Sequence, residues 1–281
     1  MYNLIVILGP TASGKTALAV DLAKYYNTGV ISADSRQVYK YMDVGTGKDL
    51  SEYENVPYHL INILEPGEKY NVASFQNDFN LIFNTYTSEN KIPILCGGTG
   101  LYINAVLNNY SQTQIKIDSF LRNELENLTH DELISKLKKI NSLENIDYST
   151  KKRTIRAIEK NIFSEQKNII HEVIVPLKPF VIGLNPERET RRANIENRLQ
   201  YRLKNGLIEE VENLLHMGIS HEMLNYYGLE YKFVSDYLLK KFTLLELETK
   251  LCVAIQQYAK RQMTYFRNME KNGITINWIN F

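Results

Sequence analysis

Cysteine is scarce. The two present in 281 residues, Cys96 and Cys252, lie far apart among apolar neighbours. That excludes a disulfide framework or a cysteine-rich metal site and predicts two reduced core thiols. An excess of one charge is equally missing: 33 Lys and Arg stand against 32 Asp and Glu, a net +1. No global field marks the chain as a polyanion binder, so any nucleic-acid surface has to be a local patch. No apolar run approaches the ~20 residues that cross a bilayer. The first apolar segment, Leu4 to Leu8, follows the N-terminus too closely for a basic n-region and signal peptide. These absences predict a soluble cytoplasmic protein with no membrane partner. Repeats and low-complexity linkers are absent too, and 281 residues suit one large domain or one domain carrying an insertion.

What is present begins with residues 9 to 16, Gly-Pro-Thr-Ala-Ser-Gly-Lys-Thr, directly after that apolar run and directly before Ala17-Leu18-Ala19-Val20. Strand, glycine-rich loop, helix is the setting a phosphate-binding loop requires. Gly9 and Gly14 let the backbone curl so that successive N–H groups through Thr11, Ala12 and Ser13 converge on phosphate oxygens. Lys15 reaches them as a point charge, and Thr16 stands where Mg²⁺ is ligated at a helix N-terminus. The loop alone leaves open whether the phosphates belong to a nucleotide or to another diphosphate.

Along the first hundred residues the patterning predicts strands at Leu4–Leu8, Gly29–Ala33 and Ile92–Cys96 with helices at Ala17–Tyr26 and Ser74–Ser88. Near-continuous apolar strands separated by helices indicate an α/β fold, a parallel sheet covered on both faces. From 111 to about 171 the strand pattern disappears, and charged amphipathic stretches at Phe120–Leu128, Asp131–Ile140 and Arg153–Ile162 predict an inserted helical subdomain. The domains expected are a core of 1–110 and 172–281 and an insertion of 111–171. Val173–Leu184 reads as a return to the sheet. Ile195, Leu199, Leu203, Leu207 and Val211 recur every four residues as one helical stripe. A last helix is expected from Leu244 to Met269, and Ile274–Ile279 suits a strand or a tucked tail.

Ligands of such sheets bind at the carboxyl ends of the strands. Asp34 sits at one such end, placed to ligate Mg²⁺, to act as a general base, or to cap the next turn. Another strand ends in Gly97-Gly98-Thr99 with no acidic residue, which argues against an ATP-hydrolysing machine. The glycines there permit close approach and Thr99 supplies a hydroxyl. Basic residues gather at Lys151, Lys152, Arg153 and Arg156, along Arg191, Arg192, Arg198 and Arg202 on the face expected to be polar, and at Lys260, Arg261 and Arg267. With Tyr226, Tyr227, Tyr265 and Phe266 nearby in sequence they suit phosphate contact and base stacking on RNA. A solvated charged face is the plain alternative.

Six separated segments carry a more specific signal: GPTASGKT at 9–16, ADSRQVYKYMDVGTGK at 33–48, PYHLIN at 57–62, GGTGLYINA at 97–105, RTIRAIE at 153–159 and AKRQMTYFR at 259–267. In this order, across almost the whole length, the chain resembles the tRNA dimethylallyltransferase family. The resemblance implies a P-loop NTPase-like core with a helical insertion. It also implies transfer of a dimethylallyl group from its diphosphate to N6 of the adenosine 3′ of the anticodon, in tRNAs reading codons that begin with U. By that resemblance Asp34 is the general base and Thr99 contacts the bridging oxygen. Gly9 to Thr16, Arg198 and Mg²⁺ on Thr16 hold the diphosphate. Asp34, Ser35, Arg36, Gln37, Thr99, Arg122, Lys152, Arg153, Arg156, Lys260, Arg261, Gln262 and Arg267 match tRNA-contacting positions around the anticodon stem-loop. A monomer is the simplest assembly. The chain departs from the family at Asn225–Leu229 and at Gly45-Thr46-Gly47-Lys48-Asp49. An isopentenyltransferase of free adenine nucleotides would share the catalytic core, and a small-molecule kinase would explain Lys15, Thr16 and Asp34.

Overall fold

The computed structural model describes residues 1–108, 118–140, 146–163, 173 and 175–281. Six strands form one sheet in the order β3-β2-β4-β1-β5-β6: β1 Leu4–Leu8, β2 Val30–Ser32, β3 Tyr58–His59, β4 Ile94–Gly97, β5 Pro179–Asn185 and β6 Asn277–Asn280. Every neighbouring pair runs parallel. Side chains of a strand alternate between faces, and here both faces are covered. Leu4, Val6 and Leu8 of β1 join one core, Ile5 and Ile7 the other, so all five β1 residues are buried.

The smaller face is closed by Ala19, Val20 and Ala23 of α1 (Lys15–Tyr25) and by Tyr53 and Val56. The larger receives Phe75, Phe79 and Phe83 of α2 (Val72–Ser88) and Tyr102, Ile103 and Val106 of α3 (Gly100–Leu107). Those three phenylalanines are fully buried, each removing enough apolar area to contribute roughly 2–3 kcal/mol. The N-cap side chain of Asn71 accepts the Ala73 and Ser74 N–H groups and fixes where α2 starts. At the other end of the chain α11 (Leu244–Lys271) opens with a Thr243/Glu246 capping box and lays Leu247, Leu251, Ile255, Ala259, Met263 and Phe266 on the same core.

The chain divides into two compact units, Met1–Leu107 with Glu172–Phe281, and Asn108–His171. The expected junctions at 110/111 and 171/172 lie outside the described residues. The second unit holds α4 (Ser119–Glu126), α5 (His130–Ile140) and α6 (Lys151–Ile162) around Leu125, Leu133, Leu137, Ile155 and Ile158.

Two elements differ from the expectations. The strand expected over Val173–Leu184 begins only at Pro179, with residue 174 outside the described set. The single stripe from Ile195 to Val211 is split into α7 (Arg188–Lys204) and α8 (Leu207–His216). Gly206 breaks it: its φ of +100° is left-handed backbone that favours glycine and ends an α-helix. Leu199, Leu207 and Val211 remain buried on either side of the break, while Leu203 is only half-buried. The chain continues through α9 (His221–Tyr227) and α10 (Leu229–Leu238).

Candidate active site

Three strand ends converge. β1 runs into the phosphate loop, and Lys15 at its far side turns back so that Nζ donates to the Pro10 carbonyl at 2.7 Å. The loop is clamped from α11: the Thr11 N–H donates to Gln262 Oε1 at 2.9 Å while Gln262 Nε2 donates to the Gly98 carbonyl at 2.8 Å. One buried amide thus ties the loop after β1 to the end of β4. Asn194 of α7 donates to the Ala12 carbonyl at 3.3 Å, and Arg198, one turn further, contacts the Thr11 hydroxyl.

At the end of β2 Asp34 accepts the Arg36 N–H on Oδ1 at 2.8 Å, so it does cap the following turn while also facing the cavity. Thr99 is locked to the same turn. Its N–H donates to the Ala33 carbonyl and its hydroxyl oxygen accepts the Ser35 N–H, both at 3.1 Å. With that oxygen already accepting, the Thr99 O–H is left to donate. Gln37 accepts from Ser32 Oγ at 2.8 Å and donates to the Gly47 carbonyl at 3.1 Å.

A cavity of ≈ 390 Å³ joins these groups, lined among others by Thr11, Asp34, Thr99, Arg198 and Arg202, with Arg36, Tyr258 and Arg261 also on its wall. The Arg36 guanidinium lies 4.9 Å from the Tyr226 ring centre, a cation–π distance. The electrostatics suit an anion. Loss of water lowers the Lys15 ammonium to a pKa of about 8, a shift opposed by Cys96 and Asp34 and reinforced by Arg198. Burial, and next the charge of Arg202, lower Arg198 to about 10. Cations that lose affinity for their protons when dry regain it beside a bound anion. Burial raises the Cys96 thiol to about 12, which keeps it protonated and inert.

One wall depends on a carboxylate outside the chemistry. Glu210 of α8 accepts the N–H groups of Asp43, Val44 and Gly45 at 2.6, 2.7 and 2.9 Å and the Tyr231 hydroxyl at 2.8 Å, fixing the 43–47 turn that borders the cavity.

Several residues stand elsewhere than the sequence suggests. Arg202, expected on a polar helix face with Arg191, Arg192 and Arg198, is 6% exposed and Arg198 points at Thr11, because α7 turns that face toward the phosphate loop. Gln262, grouped with RNA contacts, is buried and engaged as described. Tyr227 is wholly buried in the core, whereas Tyr226 is exposed. In the helical unit Arg122 grips the fully buried Glu159 through Nε and Nη2 at 2.7 and 2.6 Å, and Arg156 Nη1 reaches the same carboxylate at 3.0 Å. Arg153 pairs with Asp147 at 2.9 Å on exposed side chains, and Lys152, Lys260, Arg261 and Arg267 are exposed. Arg267 lies with Asn185 and Trp278 in a separate depression. Cys96 is buried as expected, and Cys252 is half-buried. Glu210 carries no local sequence signal, and the motif that includes Gln262 points to RNA contact rather than to this clamp. Arg202 does carry one, since it follows Arg198 at i+4.

Comparison with known proteins identifies the family. The family model described as IPP transferase matches residues 37–269, and one described as Isopentenyl transferase matches residues 2–56. tRNA dimethylallyltransferase 1 of Azobacteroides pseudotrichonymphae genomovar. CFP2 is 49% identical over 99% of this chain and 93% of its own length. tRNA dimethylallyltransferase 1 of Parabacteroides distasonis is 46% identical over 99% and 92%. The crystal structure of the full-length tRNA isopentenylpyrophosphate transferase of Bacillus halodurans is 35% identical, with a TM-score of 0.73, and the match covers 100% of this chain and 90% of that one. With a family model matching most of its length and relatives near half identity end to end, the chain belongs to the IPP transferase family.

Proposed function

We propose that the protein transfers a dimethylallyl group from dimethylallyl diphosphate to N6 of the adenosine 3′-adjacent to the anticodon, in tRNAs reading codons that begin with U. The observation that carries this reading is the cavity in which the Asp34 carboxylate, the Thr99 hydroxyl and the Arg198 guanidinium meet beside Thr11 of the phosphate loop. The names of the relatives support it.

The chemistry follows from these groups. An exocyclic amine is a weak nucleophile, so Asp34 orients it and takes its proton as the new N6–C1 bond forms. The C1–O bond breaks at the same time and its electron pair leaves on the diphosphate. Thr99 donates to the bridging oxygen, while Lys15, Arg198 and the N–H groups of Ala12 to Gly14 meet the growing charge. Gln262 and Glu210 position the loop and the 43–47 turn.

The donor set fits Mg²⁺. Among the described residues no three His, Cys, Asp or Glu gather, so the protein offers the Thr16 hydroxyl at the start of α1, and diphosphate oxygens and water would complete the shell. Bound there, Mg²⁺ would neutralise charge on the leaving group. The exposed Lys152, Arg153, Lys260, Arg261 and Arg267 serve RNA phosphates, and the target base leaves its stack to reach Asp34. The reading includes a monomer working in the cytoplasm. Among the described residues no helix is long and apolar enough to cross a membrane.

Incubation with Mg²⁺, dimethylallyl diphosphate and, separately, tRNA, AMP or ATP tests the reading. Prenylated adenosine detected by mass in tRNA digests is expected. Modification of AMP without tRNA would replace the proposal with a free-nucleotide enzyme, and phosphoryl transfer from ATP would replace it with a kinase.

A further inference from the structure

Arg202 is a buried cation to which prenyl transfer, as described, gives no task. It lies one turn beyond Arg198 on α7 and is 6% exposed. Its Nη2 is buried and, among the described residues, has no hydrogen-bond partner. The nearest carboxylate oxygen, Asp49 Oδ2, is 3.6 Å away on a side chain that is itself 52% exposed. Gly47 closes over the guanidinium: with φ +62° at that position, a Cβ would collide with Nη2. A guanidinium boxed in this way with an N–H unmatched is unfavourable unless an acceptor arrives. Arg198 and Glu230 line the same cavity; burial pushes the Glu230 carboxyl toward its neutral form, so the two neighbouring guanidiniums lack a full counter-charge and repel until an anion lies between them.

We propose that Arg202 is a second arginine of the donor site, binding the diphosphate jointly with Arg198. The inference rests on the prenyl-transfer reading and adds a residue to it. The shape of the ligand argues for the diphosphate over an RNA phosphate. A phosphodiester carries one charge between two riboses and suits exposed cations such as Lys260. The terminal phosphate of a diphosphate has three unesterified oxygens, which a buried planar fork can grip bidentately. Arg202 contacts the diphosphate in both donor and product, so it acts mainly on binding, whereas Arg198 and Thr99 also act on bond cleavage.

Calorimetric titration of the full chain with inorganic diphosphate in Mg²⁺ tests this, alongside tRNA binding and the KM for dimethylallyl diphosphate. Arg202→Met is expected to weaken diphosphate binding at least tenfold and raise KM similarly, with tRNA affinity and kcat nearly unchanged. Arg202→Lys should recover only part, because it restores charge but not the fork. Asp49→Asn keeps the test decisive should Arg202→Met fold poorly. Removing the competing carboxylate should tighten diphosphate binding a few-fold, and an unchanged affinity would overturn the proposal. So would an Arg202→Met protein that binds diphosphate normally, or one that loses tRNA while keeping diphosphate. Arg198→Met separates the two levels: if it weakens diphosphate binding and Arg202→Met does not, only this inference fails. If neither does, the donor site itself is misread.

Discussion

Two regions of this molecule hold arginines in pairs, and they treat them in opposite ways. In the helical unit Arg122 and Arg156 converge on Glu159, a carboxylate with no exposure, in three hydrogen bonds of 2.6–3.0 Å. In the core unit Arg198 and Arg202 share a cavity whose nearest carboxylate to Arg202 is a half-exposed Asp49 at 3.6 Å. The first arrangement is complete without a ligand and holds α4 to α6. The second shares its cavity with Glu230 but leaves Arg202 Nη2 without a hydrogen-bond partner among the described residues, and the partner we propose is an anion. Basic sequence therefore does not by itself mark a binding surface; what decides is whether the fold has already supplied the counter-charge.

The two carboxylates, Asp34 in the cavity and Glu159 in the insertion, give the sharpest separation. Asp34→Asn is expected to lower kcat about 10²–10⁴-fold, the range lost with a general base, while thermal stability and tRNA affinity hold, because an Asn oxygen still accepts the Arg36 N–H. A rate within tenfold of the original would remove Asp34 from the chemistry. Arg198→Ala should cost about 10²–10³ in kcat/KM, measured with saturating tRNA. In contrast, Glu159→Gln should leave kcat on an anticodon stem-loop unchanged and destabilise the helical unit by about 2 kcal/mol, less than a fully buried pair costs because the two arginines keep partial access to water. Equal chemical denaturation midpoints would show that the triad contributes nothing.

The dry cations predict a pH effect. Lys15 has its pKa lowered to about 8 in the folded protein against 10.5 unfolded. Between these values the unfolded chain binds more protons, so the Lys15 contribution to stability rises with pH across that window. Donor binding changes the other way, since dimethylallyl diphosphate meets an ammonium below pH 8 and progressively an amine above it. Its affinity should fall above about pH 8, and Lys15→Met should flatten both trends relative to the parent. The smallest effect is at Arg153. Its exposed pair with Asp147 contributes little to stability, yet Arg153→Ala should reduce the salt slope of tRNA binding by about 1. An unchanged slope would argue against a phosphate contact there.

Much of the core is legible in the sequence. β1, α1 and β4 stand within two residues of where hydrophobic runs and the glycine loop place them, since apolar periodicity and backbone curling are local properties. The strand ends named as the site, at Asp34 and Thr99, do meet Thr11 and Arg198 in one cavity. The direction of α7 was not legible. The same i, i+4 arginines suit a solvated face or a cavity wall, and Gly206, which ends α7 and lets α8 leave, looks within the stripe like one weak residue. Gln262 shows the same limit. Its segment matches a basic RNA-contacting helix, but its amide lies across the chain from Thr11 and Gly98 in sequence and next to both in space.

The sequence by itself determined the parallel α/β sheet, the phosphate loop and the family, because each rests on short-range spacing that chain chemistry enforces. The tertiary structure decided which charges are already answered. Glu159 reaches Arg122 across 37 residues, while Arg202 Nη2 has no hydrogen-bond partner among the described residues. Desolvation and counter-charge depend on everything packed around a group, and that sum exists only once the chain has closed.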